Sequence, residues 1–279
     1  MKRKITISDF PWTLISIREQ LTTFKNNGFD GFFTLYNPQF ASVGELKNLV
    51  NEFDLPLHSI HAPFLSSAKM WEEGEQAEVA VNELIGALNA SYELNAPIMV
   101  VHPFIGFDKN TPNQIGVDNF GKLVKHAENL GVKLAFENVE GENYLNALMD
   151  AFGNSKQVGF CWDSGHEQCY YRGKDLLKVY GKKLIYTHIN DNLGVLSKDG
   201  SIFWHDDLHL LPFDGIIDWQ DATNRLKREN YQGDLTLELC LQSKPNRNDN
   251  DKYQKMPFNE YIKSAYERAE KIRKMIDND

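Results

Sequence analysis

Residues 158–166, VGFCWDSGH, decide how the rest of the chain is read. VGFCWD is apolar on both alternating faces, the pattern of a parallel strand buried on both sides, and it ends in a carboxylate, Asp163. Seven other short runs share this build: ITIS (5–8), GFFTLY (31–36), LHSIHA (57–62), IMVVHP (98–103), KLAFEN (133–138), LIYTHIN (184–190) and LTLEL (235–239). Six successive runs end in, or one or two residues beyond, a metal-ligand type: His61, His102, Glu137, Asp163, His188 and Glu238. His166 follows in DSGH, and Asp207 and His209 lie in DDLH. One such residue at a strand end means little, but nine suggest that distant parts of the chain converge on a metal site.

Helix-like segments separate the strands, at 13–26, 43–53, 75–94, 113–130, 143–152, 174–180, 218–229 and 259–276. Several end at Gly or Asn, where a left-handed residue stops a helix, as in NNGFD and NLGVK. Eight strand–helix alternations without a break in composition predict α/β architecture, a single (β/α)8 TIM barrel over residues 1–279. In such barrels the active site lies at the C-terminal strand ends, where the candidate ligands stand. An open doubly wound sheet is the main alternative, but it would not naturally gather polar residues from so many strands. The longest connection runs from Asn192 to Asp218, and NRNDND at 246–251 is predicted to be exposed.

Composition narrows the function classes. The chain has 279 residues, a formal charge of −9 and a hydrophobic share of 42%, enough for a substantial core. The acidic balance weighs against nucleic acid, whose binders draw much of their affinity from basic side chains at phosphates, although a local basic stripe would still allow it. The basic residues Lys263, Arg268, Lys271, Arg273 and Lys274 read as a solvated helix face. No apolar run approaches the roughly 18 residues of a membrane span, and MKRKITISDF lacks the apolar stretch of a signal peptide. Three cysteines at irregular spacing (Cys161, Cys169, Cys240) argue against a disulfide framework. The expected location is the cytoplasm, with no membrane partner.

Glu137, Asp163, His188 and Glu238 together form an oxygen-rich donor set with one imidazole, suited to Mn²⁺, Mg²⁺, Co²⁺ or Zn²⁺. His61, His102, His166 and His209, with Asp207, are a nitrogen-rich supply more typical of zinc. His58 and His126 are left as structural residues. Trp12, Phe64, Trp71, Phe104, Trp162 and Trp204 adjoin strand ends. Trp12 and Phe64 are the candidates to wall a substrate pocket, and ordinary packing is the simpler account of the others.

HAPF, VVHPF, FENVEG, GFCWDSGH, THINDN and LTLEL resemble the xylose isomerase-like barrel superfamily over nearly the whole chain. That superfamily includes sugar isomerases and epimerases, inosose dehydratase-type enzymes and abasic-site nucleases of the endonuclease IV type. Resemblance to the tagatose and psicose epimerases implies one divalent metal on Glu137, Asp163, His188 and Glu238. It also implies that the two glutamates are the acid/base pair and that His166 binds substrate. Resemblance to endonuclease IV implies three zinc ions on His61, His102, Glu137, Asp163, His166, His188, Asp207, His209 and Glu238. Both patterns have departures. Gly194 stands where the epimerases have arginine, and Asn143 where they have a substrate-binding glutamate. DLHLLPFDG stands where the nucleases have D-R-H-x-x-x-G, and the following IDW resembles the small-molecule members.

The reading that follows is a metal-dependent isomerase or epimerase of a sugar, sugar phosphate or polyol, working through a metal-stabilised enediolate. The alternatives are a zinc phosphoesterase acting on abasic DNA and a non-enzymatic barrel that holds sugar or metal without chemistry. A dehydratase would need the same enolate chemistry. The cofactor is one divalent ion, or up to three zinc ions if all nine residues are occupied. Relatives form dimers or tetramers, so the resemblance allows a homo-oligomer, but no helix pattern marks an interface.

Overall fold

The computed structural model describes residues 2–107 and 111–277. Among them are eight strands: β1 (Ile5–Ser8), β2 (Gly31–Leu35), β3 (Leu57–His61), β4 (Ile98–Val101), β5 (Lys133–Glu137), β6 (Val158–Asp163), β7 (Leu184–His188) and β8 (Leu235–Leu237). The helices are α1 (Ile17–Asn26), α2 (Val43–Phe53), α3 (Glu75–Glu93), α4 (Gln114–Leu130), α5 (Glu142–Phe152), α6 (Ser164–Tyr170), α7 (Leu177–Tyr180), α8 (Trp219–Arg228), α9 (Asp251–Gln254) and α10 (Phe258–Asp277). The sheet order is β7-β6-β5-β4-β3-β2-β1-β8. A parallel bridge from Ile189, just past β7, to Leu237 of β8 continues the circuit. The fold is the expected (β/α)8 barrel.

The chain packs as two compact units, Met1–Phe32 with Trp162–Asp279, and Phe33–Cys161. In the first, β1 and β8 pair in parallel with Ile5 opposite Leu235 and Ile7 opposite Leu237, all four buried. Between these pairs Thr6 donates to the Thr236 hydroxyl at 2.8 Å, so the two buried hydroxyls satisfy each other. Outside the strands, Phe10 meets Phe258 and Tyr261 edge-on, at 5.6 and 6.0 Å between ring centres. In the second unit β3 to β6 are successive parallel neighbours, and Glu137 ends β5 opposite Cys161. Trp71 lies so close to α4 that a Cβ on Gly116 would sit 1.9 Å from its ring, so the position admits only glycine unless the tryptophan moves.

Helix starts fall where capping dictates. Ser16 accepts the Glu19 N–H, so α1 begins at Ile17 rather than at residue 13. Ser42 and Glu45 form a capping box at α2, which has the expected limits. The segment expected at 174–180 shortens to α7, and α6 arises unforeseen directly after Asp163.

Two surface expectations need correction. In the polar 246–251 run, Asn250 is fully buried, because its amide donates to the carbonyls of Leu208 and Cys240 at 3.0 and 2.7 Å. In the basic α10 cluster Arg273 is buried and donates to the Arg3 carbonyl. Arg268 of the same cluster bonds the Asp214 carboxylate at 2.6 Å. Among the described residues no cysteine forms a disulfide, and no described helix is long and apolar enough to cross a membrane.

Candidate metal centre

Each unit carries its own ligand groups. In the Phe33–Cys161 unit, β3, β4 and β5 end on His61, the residue before His102, and Glu137. Their parallel pairing brings these three side chains together. His61 Nε2 lies 3.2 Å from His102 Nε2, and Glu137 Oε2 lies 3.4 and 3.3 Å from the two nitrogens. A divalent ion with bonds of about 2.0–2.1 Å in tetrahedral geometry holds its ligand atoms about 3.3 Å apart. The three separations match that spacing. His61 Nδ1 faces the Ala62 carbonyl at 2.8 Å, which fixes Nδ1 as the protonated nitrogen and turns Nε2 toward the group. Phe64 stacks on His102 with ring centres 4.8 Å apart and meets His61 edge-on.

In the other unit Asp163, His188 and Glu238 bring one ligand atom each within 4.8 Å of the others. His188 Nδ1 stands 3.1 Å from Glu238 Oε2. Asp163 and His188 are fully buried. Asp163 is held from two sides. Its Oδ1 accepts the His166 N–H at 2.6 Å as N-cap of α6, and its Oδ2 accepts the Asn190 amide at 2.8 Å. Ser164 donates to the Asn190 carbonyl at 2.6 Å. Gly165 leaves the space Asn190 occupies, since a Cβ there would meet Asn190 Oδ1 at 1.8 Å.

The third group is His166, Asp207 and His209. Asp207 Oδ2 lies 3.5 Å from His166 Nε2 and 2.8 Å from His209 Nε2. Burial works against ionising Asp207, but the His209 and His166 imidazoles and Lys244 outweigh it and hold the carboxyl well below the usual range. Burial likewise opposes the charge on His209, yet the Asp207 carboxylate, with Glu238 and Asp163, carries its pKa up to about 9.

A set of buried hydrogen bonds holds the long loop that presents Asp207 and His209. Asn192 donates to the Asp206 carbonyl at 2.9 Å, Asn250 donates to the Leu208 carbonyl, and Leu210 exchanges both backbone bonds with Asp191. Residues 206, 208 and 210 are thus held by their backbone, and the side chains between them meet. The Asp191 carboxylate accepts from the backbone of Asn192 and Phe213 at 2.8 Å each, from Ile217 at 3.2 Å and from the Trp219 indole at 2.9 Å. His209 adopts a left-handed backbone (φ 47°) inside this frame. Within α6, Glu167 accepts from Arg225 at 2.6 Å and from the Trp162 indole at 2.9 Å.

The aromatic candidates separate. Phe64 lies against two ligand-type imidazoles, and Trp12 and Trp204 are exposed. Trp71, Phe104 and Trp162 are buried in packing. Asn190 and Asp191 stand inside the H-x-N-D motif that begins at His188, and the motif itself was the signal for them. Lys244 and Asn250 had no such signal, because they lie beyond β8 in a stretch without periodicity.

Comparison with known proteins follows the same lines. The chain is 27% identical over 251 residues to an uncharacterized protein, y4fM, of Sinorhizobium fredii, covering 72% of this chain and 79% of that protein. It is 24% identical over 197 residues to a probable endonuclease 4 of Mycoplasma capricolum, covering 62% and 64%. Its fold is similar to that of D-psicose 3-epimerase from Clostridium cellulolyticum, with a TM-score of 0.74, 14% identity and coverage of 98% and 99%. Residues 21–256 match the family described as xylose isomerase-like TIM barrel, and the chain belongs to that family.

Proposed function

We propose that this protein is a divalent-metal-dependent isomerase or epimerase acting on a sugar or polyol at the carbon beside its carbonyl. The observation that carries the reading is the convergence of the buried Asp163 and His188 with Glu238, with 3.1 Å between the last two. The reading adds Glu137 as fourth ligand, on the resemblance to the epimerases, and takes 1–279 as one domain. A divalent ion on these residues supplies Lewis acidity toward the carbonyl oxygen of the substrate. One of Glu137 and Glu238 takes the proton from the neighbouring carbon, and the other returns it. Asn190 holds Asp163 in place through the donated amide. His166 and Phe64 contact the substrate.

The test is solvent-hydrogen exchange. Keto-sugars, D-tagatose and D-allulose among them, are incubated with the protein in heavy water. Deuterium at the carbon beside the carbonyl, lost in Glu238→Gln, supports the reading. Absence of exchange across neutral and anionic polyols by metal-loaded protein refutes it.

A second reading is phosphoester hydrolysis on a three-zinc centre. It is favoured by the His61–His102–Glu137 and His166–Asp207–His209 groups, which a one-metal epimerase does not need. Its test is cleavage of abasic DNA by the zinc-loaded protein.

A further inference from the structure

The loop after β8 carries two cations with donors that no described residue accepts. Lys244 Nζ lies 3.6 Å from Asp207 Oδ2, beyond hydrogen-bond length, and 5.6 Å over the ring of Trp204. Among the described residues it donates no hydrogen bond, although an ammonium has three N–H groups. Three residues on, the Arg247 side chain is nine-tenths buried. Its Nε bonds Asp249 at 2.7 Å and its Nη1 reaches Asp206 Oδ1 and the His205 carbonyl at 3.4 Å. Its Nη2 is buried without a partner among the described residues. The two cations therefore engage successive residues of one short turn, Asp206 and Asp207, and each keeps donors in reserve. Beside them Trp204 is half exposed, a flat apolar face next to a positive charge.

We infer that Lys244 and Arg247 form a subsite for an oxyanion, phosphate or carboxylate, on the substrate. The inference rests on the proposed function and deepens it, making the substrate an anionic polyol. In barrels the loops after strands 7 and 8 frequently bind a phosphate group, and these cations and the turn they grip lie in those two loops. Lys244 supplies a movable point charge and Arg247 a fixed one.

The experiment is equilibrium binding of inorganic phosphate and of acetate to the full-length protein as purified. It compares wild type, Lys244→Gln, Lys244→Arg and the exposed-loop control Lys198→Gln, with metal content measured on each. Phosphate binding that weakens about tenfold in Lys244→Gln and is largely kept in Lys244→Arg and Lys198→Gln supports the subsite. Preference for phosphate or acetate names the anion. Equal binding by wild type and Lys244→Gln at equal metal content overturns it, as does failure of wild type to bind either anion. The isomerase reading fails separately, on absence of solvent exchange, whatever the anion binding shows.

Discussion

The Trp219 indole donates to the Asp191 carboxylate at 2.9 Å, bridging the end of the β7 motif to the start of α8. Between these two residues lies the whole loop that carries Asp207 and His209. One buried carboxylate, accepting four N–H groups, thus fixes the connection of 27 residues from Asn192 to Asp218.

Replacing Asp191 with Asn removes the charge and turns one acceptor into a donor facing N–H groups. Hydrogen bonds to buried charge contribute about 1.5–3 kcal/mol each, so a net loss of about 2–4 kcal/mol is expected. Thermal unfolding should show Tm lower by about 5–10 °C. An unchanged Tm would mean that the loop is held by other bonds.

Gly165→Ala acts on the ligand set without touching a ligand. Its Cβ would overlap Asn190 Oδ1, and Asn190 orients Asp163. Loss of such an outer partner typically weakens metal binding about 10–100-fold. Competition with a chelator of known affinity measures it, and wild-type retention would show that Asn190 yields freely.

Glu137→Gln and Glu238→Gln should each lower turnover at least about 100-fold, the usual contribution of a positioned acid or base. Far-ultraviolet circular dichroism should remain that of the wild type. Near-normal exchange of the carbon-bound proton in either variant would remove that residue from the proposed pair.

The Asp214 cluster predicts a pH signature in stability. Burial raises this carboxyl, but the Tyr253 hydroxyl, Lys252 and Arg268 bind its charged form and hold it below the ordinary value. A lowered folded-state pKa gives stability that is present above about pH 4, the unfolded value, and lost as pH falls through the folded one. Asp214→Asn should therefore cost about 1–2 kcal/mol at pH 7, with the gap to wild type closing as pH drops below about 4. A gap independent of pH would assign the effect to packing.

The barrel was legible because each strand must be buried on both faces, and VGFCWD or IMVV admits little other reading. The ligand types were legible because they cap those runs. What escaped were residues whose role depends on distant backbone. Nothing local in NRNDND tells that Asn250 turns inward to two carbonyls while its neighbour Asn248 stays exposed. Arg268 likewise looks like one more charge on a helix until Asp214, brought back by the loop, meets it. Residue 13 has room for a helix, but the Ser16 cap decides where α1 begins.

The most direct test of the account is the metal content per chain, by elemental analysis of protein purified without added metal or chelator. The account predicts about one divalent ion per chain, lost on replacing Asp163 or His188 with Ala. Close to three zinc ions would transfer the centre to the phosphoesterase reading. A chain that holds no metal, and takes up none on dialysis against manganese, cobalt or zinc, would contradict the metal centre altogether.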